Sequence, residues 1–301
     1  MNGDISYLKL YTTEYTPFAG FTRSIDEATY VVVGVPYDRT STYRSGSRFA
    51  PSKIREASAN METYSLRSGV DIENVPIFDA GDLNVVEDMS ETLRRIQLVV
   101  REIYTKSKVP IILGGEHTIT YGSLQVFDSD VGVVDFDAHL DLRDEYMGCR
   151  VSHATHMRRL AERFGPDRIV QVGTRAVSKE ELDYARSSGL KFYSTYEVRE
   201  RGPEEIPRLV NSNLKNFRFR YVTIDMDVLD PAYAPGVGNP EGDGLEPQTV
   251  IKILQSVAGS DIVGVDLVEV CPDYDNGVAS AQAVKILFET IAAIERHKRR
   301  T

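Results

Sequence analysis

The chain has 301 residues, 42% of them hydrophobic, enough for a sizeable core, and a formal net charge of −10 from 35 basic and 45 acidic residues. That balance argues against a general binder of nucleic acid or of an anionic membrane surface. Two cysteines, Cys149 and Cys271, no apolar leader in residues 1–21 and no run of about 18 apolar residues lead us to expect free thiols in a reducing cytoplasm, no signal peptide and no membrane span.

Residues 1–28 are polar with scattered Tyr and Phe, and read as an N-terminal arm able to pack on a neighbouring subunit. Residues 29–301 read as one domain, with no low-complexity linker and no repeat. Tyr30 to Val35 (YVVVGV) has the composition of a strand buried on both faces. A Gly/Ser/Arg-rich loop follows, and Pro51 suits a first helical position. The spacing of Ile54, Ala57, Met61 and Tyr64 predicts a helix running to Gly69. Val75 to Ala80 is a short strand, and Ser90 is the expected cap of a helix that turns Leu93, Ile96, Val100, Ile103 and Tyr104 inward. Val109 to Leu113 is the next strand; it leads into a glycine turn with His117 and a short helix through Leu124.

Val131 to Asp141 (VGVVDFDAHLD) begins as a buried strand and ends with Asp137, His139 and Asp141. In an extended chain residues two apart share a face, so the three side chains are expected to project together. A polar loop, 142–152, leads to His153, and a helix through Met157 and Leu160 follows. Arg168 to Val172 is a strand; Ser178-Lys179-Glu180-Glu181 fits a capping box and Gly189 the stop of that helix. After a strand at Lys191 to Ser194 comes a helix near Glu204 to Leu214, expected to break at Pro207. Tyr221 to Leu229 is a strand that ends in Asp225 and Asp227, and a Gly/Pro-rich loop follows it. Pro247 opens a helix ending at Gly259, Asp261 to Val270 is a strand, and Val278 to Lys298 is the last helix, with Lys298, Arg299 and Arg300 at its negative dipole end.

Strands alternate with helices throughout, which predicts a single-domain α/β protein of three layers, α/β/α, around a mostly parallel, doubly wound sheet. Ligands of such sheets sit beyond the carboxyl ends of the strands, where every candidate residue falls. Burying several carboxylates without a compensating cation is costly. Two histidines and four aspartates are too many ligands for one tetrahedral zinc and suit two divalent ions bridged by carboxylates. Mixed imidazole and carboxylate donors fit manganese, with cobalt or nickel as alternatives. A two-metal site brings water towards ionisation at neutral pH, so the expected chemistry is metal-assisted hydrolysis.

GGEHT at 114–118, DAHLD at 137–141 and TIDMDVLDP at 223–231 resemble the three metal motifs of the ureohydrolases, the arginase and agmatinase family, and the resemblance runs from about Val31 to Ile291. It implies an arginase/deacetylase-like fold, with residues 29–301 as the catalytic domain, and two Mn2+ per chain. One ion would take His117, Asp137, Asp141 and Asp225; the other Asp137, His139, Asp225 and Asp227, with Asp137 and Asp225 bridging. The resemblance also gives Asp141 the orientation of the attacking water and Glu269 the reception of the substrate guanidinium. A carboxylate accepts paired N–H donors from that planar cation. His153 matches a mobile histidine at the pocket mouth that shuttles a proton to the departing amine. His156 reads as a neighbour of the site or a surface residue, His297 as incidental and Arg48 as structural.

The loop LRDEYMGCRVSHAT and the ending VEVCPDYD resemble the agmatinase form. The expected reaction is therefore agmatine plus water to putrescine and urea, in polyamine biosynthesis. The resemblance also implies a homo-oligomer, trimer or hexamer. Asn239 stands where Thr is common and Asp243 where Gly is common, which bears on specificity; an added Asp would favour a longer polycation such as aminopropylagmatine. Guanidinobutyrate, guanidinopropionate and arginine are further alternatives. A substrate carboxylate would need a cation, for which Arg143, Arg150 and Arg175 are the candidates. A single-zinc deacetylase would not need His117 and the full aspartate set. A catalytically silent subunit should have lost one of these residues, and none is missing.

Overall fold

The computed structural model describes residues 6–13, 15–21, 23–127 and 130–299. Arg300, and residues 1–5, 14 and 22 of the expected arm, lie outside the described residues. The strands are β1 (Thr12–Thr13), β2 (Tyr30–Val35), β3 (Tyr64–Ser65), β4 (Val70–Asp71), β5 (Ile77–Leu83), β6 (Val109–Gly114), β7 (Val131–Phe136), β8 (Ile169–Thr174), β9 (Lys191–Ser194), β10 (Phe219–Asp225) and β11 (Ile262–Val268). The helices are α1 (Tyr7–Tyr11), α2 (Ala50–Ser58), α3 (Met89–Thr105), α4 (Thr118–Leu124), α5 (His156–Phe164), α6 (Lys179–Ser188), α7 (Thr195–Arg201), α8 (Glu205–Asn213), α9 (Pro247–Val257) and α10 (Val278–Lys298).

Nine strands form one sheet in the order β1-β5-β2-β6-β11-β10-β7-β8-β9. Every pairing in it is parallel except β1 with β5. Side chains alternate between two apolar layers, as the pleat requires. Tyr30 and Val32 of β2 join residues of α2, α7, α8, α9 and α10, while Val31, Val33 and Val35 join residues of α1, α3, α4, α5 and α6. The expected three-layer α/β/α architecture is thus present. Both cysteines are free, and no helix among the described residues is long and apolar enough to cross a membrane.

Several local expectations change. α2 stops at Ser58 instead of reaching Gly69, and the later part of that stretch turns back as the β3–β4 pair. The helical spacing of Met61 and Tyr64 is fortuitous: Tyr64 is exposed. Asp88, not Ser90, caps α3, its Oδ1 accepting from the backbone N–H groups of Ser90 and Glu91. Pro207 does not break α8, because it sits in the first turn, where an N–H has no intrahelical partner. The helix α7 and its capping box, Ser194 with Glu197, went unread. The described part of residues 1–28 packs on this chain itself: Ser6 Oγ and the Leu8 N–H donate to Glu102 of α3, and Thr12–Thr13 pairs with β5.

Candidate metal centre and substrate pocket

The strand order brings the chemistry together. β6, β11, β10 and β7 are neighbours in that order. Their carboxyl ends present His117, Glu269, Asp225 with Asp227, and the Asp137-His139-Asp141 segment respectively. The last segment is not extended, contrary to expectation. β7 ends at Phe136, Asp137 Oδ1 accepts the His139 N–H at 2.6 Å, and Asp141 adopts a left-handed φ of 52°. Asp225 closes β10, and its Oδ1 accepts the Asp227 N–H at 2.8 Å, starting a 3-10 turn over Met226–Val228. Glu269 has a φ of 65° and donates its N–H to the Gly115 carbonyl. A left-handed non-glycine residue costs roughly 1–2 kcal/mol, so the convergence is held by tight turns rather than by strand alternation.

His117 Nδ1 lies 3.1 Å from Asp137 Oδ2, 3.4 Å from Asp225 Oδ2 and 3.6 Å from Asp141 Oδ2. His139 Nδ1 lies 3.0 Å from Asp227 Oδ2 and 3.5 Å from Asp137 Oδ1. Two ligand groups, His117-Asp137-Asp225 and Asp137-His139-Asp227, have donor atoms within 4.8 Å of one another and share Asp137; a third combination is His117-Asp141-His156. Buried polar atoms are ordinarily hydrogen-bonded, yet among the described residues His117 Nδ1 and Asp137 Oδ2 have no hydrogen-bond partner. Unpartnered nitrogen and oxygen donors aimed at one point fit a cation.

The electrostatics agree. Burial pushes the His117 imidazole down, but the carboxylates of Asp137, Asp225 and Asp135 outweigh it and raise it well above its ordinary value. Burial would raise Asp137, yet His117 and His139 hold it below the usual carboxylate range. Burial, then the charge of Asp137, raises Asp141; burial, then Asp227 and Asp137, raises Asp225. The cluster gathers protons to offset its own negative charge, and a divalent cation offsets it better.

Behind the cluster, His117 Nε2 is 2.9 Å from Thr223 Oγ1 and 3.8 Å from Asp135 Oδ1. Thr120, next to Thr223, donates to Asp266 at 2.9 Å. Such contacts orient a ligand's ring. Asp135 and Asp266 were passed over, although an acid inside an apolar strand run (VGVVDF, IVGVDLV) is itself a signal.

In front lies a cavity of about 300 Å³ whose walls include Glu269, His153, Thr42, Asn239, Glu241 and Arg143. Burial, then the charge of Glu116, pushes the Glu269 carboxyl up to about 8, and its Oε1 accepts the His117 N–H at 2.8 Å. Burial first, then His139 and His117, pushes the buried His153 imidazole down to about 4. His156 is buried rather than on the surface; its Nδ1 is 3.0 Å from the His153 carbonyl and its ring centroid 4.2 Å from that of His117. Glu241 Oε1 stands 3.9 Å from His139 Nε2.

Other candidates are placed elsewhere. Asp243 pairs with Arg199 and is not among the residues lining the cavity, so it is not positioned to select a polycation. Arg175 is spent on backbone carbonyls, including those of Asp227, Glu241 and Gly242. Arg150 pairs with Asp144 on the surface. Of the three arginines, Arg143 alone lines the cavity, 5.0 Å above the Tyr146 ring and 3.8 Å from Glu181. Arg48 pairs with Asp38, in keeping with a structural part, and His297 lies on α10, away from the cavity walls.

A family model described as the arginase family matches residues 28–293. The chain is 44% identical over 266 residues to an uncharacterized 32.2 kDa protein of Methanothermus fervidus, covering 88% of this chain and 91% of that one. It is 38% identical to an agmatinase of Halalkalibacterium halodurans, over 81% of this chain and 84% of that one. The solved structure of the agmatine ureohydrolase of Thermoplasma volcanium superposes with a TM-score of 0.90 at 37% identity, over 96% of this chain and 97% of that one.

Proposed function

The chain belongs to the arginase family, and from that premise we propose that it is a manganese-dependent ureohydrolase, cytoplasmic and homo-oligomeric, that hydrolyses agmatine to putrescine and urea. The catalytic domain is residues 29–301. His117, Asp137, Asp141 and Asp225 would hold one ion, and Asp137, His139, Asp225 and Asp227 the other. The observation that carries this reading is the pair of ligand groups that share Asp137, with His117 Nδ1 and Asp137 Oδ2 unpartnered. When bound, the two ions supply Lewis acidity and bring water towards ionisation at neutral pH.

The chain's own residues do the rest. Glu269, buried at the cavity wall, accepts paired N–H groups of the guanidinium and fixes the position of its central carbon. Asp141 accepts a hydrogen bond from the attacking water and so aims it. An oxygen–carbon bond forms, the bond from carbon to the alkyl nitrogen breaks, and that nitrogen leaves as an amine. His153 passes the proton it needs.

Support for a cationic tail comes from the cavity wall. Among the described residues the Glu241 carboxylate meets only His139, at 3.9 Å, whereas the charge of Arg143 is flanked by Glu181. An ammonium group fits that wall better than a carboxylate does. A second reading, aminopropylagmatine as substrate, shares this observation, since Glu241 also suits a longer cation.

The test is urea release from agmatine, aminopropylagmatine, arginine and guanidinobutyrate, with manganese and with a chelator. Manganese-dependent urea from agmatine alone supports the proposal. Urea from another compound moves the substrate and keeps the chemistry. No urea from a preparation shown to hold two ions per chain overturns the enzymatic reading in favour of a silent subunit.

A further inference from the structure

The loop of residues 36–49, between β2 and α2, lies against the turn that carries His117. A Cβ on Gly115 would stand 1.9 Å from the Tyr37 carbonyl oxygen, so only glycine permits this approach. The approach places Thr40 over Glu116, a carboxylate with no exposed surface. Five donors converge on it. Glu116 Oε1 takes the hydroxyls of Thr40 at 2.6 Å and of Thr118 at 2.5 Å, and Oε2 takes the backbone N–H groups of Thr40 at 2.6 Å and of Ser41 at 3.1 Å and, at 3.5 Å, the Ser41 hydroxyl.

In all of these contacts the Glu116 oxygens accept, and a hydroxyl has one proton to donate. The Thr40 proton is committed to Glu116, so towards its other neighbours Thr40 Oγ1 can only accept. One neighbour is Thr118 Oγ1 at 3.3 Å, whose own proton also goes to Glu116; the other two are in His153, the backbone N–H at 3.1 Å and Nδ1 at 3.1 Å. Nδ1 must therefore carry the ring proton. Nε2 is left with its lone pair, 3.5 Å from Thr42 Oγ1 at the cavity wall.

We propose that Thr40, anchored by Glu116, is a positioning residue that fixes His153 in its Nδ1–H tautomer and so presents Nε2 as the atom that takes up and gives back the proton. The proposal rests on the shuttle role given to His153 above. It accounts for two features the reaction does not otherwise use: a buried glutamate with five donors, and a loop held over the site by a glycine. Only a neutral ring has a tautomer to choose, and burial favours the neutral form of this ring.

The variants are Thr40→Val, which keeps the shape and removes the acceptor, and Thr40→Ser, which keeps the hydroxyl. Each is made in the full chain with its metal content measured. Thr40→Val should retain both ions, keep KM within about twofold and lower kcat on the order of 10- to 100-fold, while Thr40→Ser should recover most of the loss. In a His153→Asn background Thr40→Val should have no further effect, since the two residues act as one unit. An equal loss in that background overturns the proposal and makes Thr40 a loop anchor only.

A readout that needs no turnover separates this from the parent reading. The ring 15N signals of His153, taken on the full chain stripped of metal, should show a protonated Nδ1 in the wild type and in Thr40→Ser, and mixed tautomers in Thr40→Val. A protonated Nε2 in the wild type overturns the proposal even if urea is released. The expected tautomer without urea from any guanidine overturns the parent reading alone.

Discussion

Two buried clusters of charge in this molecule are built on opposite principles. In the first, Arg55 of α2 reaches Asp79 and Asp82 of β5. Its guanidinium also donates to the Gly81 carbonyl, and Asp79 further accepts the backbone N–H groups of Phe18 and Gly81. The second gathers Asp137, Asp141, Asp225, Asp227 and Glu269 around two histidines, with two donor atoms left unpartnered. Burial alone does not mark a functional site, since both clusters are buried. The difference lies in the counter-charge: the first carries its own arginine, and the second has carboxylates in excess of its two histidines and is suited to taking up cations.

That contrast makes predictions. Asp225→Asn should lose metal and lower urea release by about 10³-fold or more, the several kcal/mol that such ions contribute. The metal-free chain should be no less stable for the change, because a repelling carboxylate is gone. Arg55→Met should do the reverse, leaving the site its ions but destabilising the chain by about 3–5 kcal/mol through two uncompensated aspartates, read from denaturant unfolding. If Asp225→Asn destabilises the metal-free chain as much as Arg55→Met does, the comparison fails. Adding manganese to about 100 times its dissociation constant should stabilise the wild type by roughly 2.7 kcal/mol and Asp225→Asn by much less; differential scanning calorimetry reads both.

A smaller effect tests His153. Its folded value of about 4 lies below its ordinary 6.5. Between those values the unfolded chain binds more protons than the folded one, so stability rises with pH across that window and is lost as pH falls through it. Melting temperatures of the metal-free chain from pH 7 to pH 4 should fall less steeply in His153→Asn than in the wild type. The smallest effect is expected from Asp243→Asn: its exposed pairing with Arg199 is worth under about 1 kcal/mol, and KM for agmatine should hardly move. A large rise in KM would return Asp243 to the pocket.

The sequence was most legible where local periodicity and turn chemistry set an element. β2, β9 and α10 occupy the residues expected of them, and the capping box at Ser178 with the Gly189 stop is present. Residue type and spacing single out the candidate ligands, but strand alternation is not what brings one group together: Asp137, His139 and Asp141 converge through a left-handed turn that a period-two argument does not contain. Helical spacing misled at Met61 and Tyr64 because the following residues pair as strands. Thr40 and Glu116 were unreadable as partners, since |i−j| = 76 separates them and only the sheet order brings them together. Asp243 looked functional by type and proved to face Arg199, a matter of side-chain direction that a loop sequence does not fix.

The order of the strands also governs how this protein can be made. β10 and β11, the last strands to be synthesised, lie between β6 and β7, which come off the ribosome far earlier. Until they arrive, the nascent chain has two incomplete sheet halves with open edges, each a template for wrong pairing. His117 and Asp137 have then already been translated but have no shared floor on which to meet. Completion of the sheet and convergence of the candidate ligands are therefore a single late event, so a chain stalled before β10 should need a chaperone's shelter and should bind no divalent ion at this site.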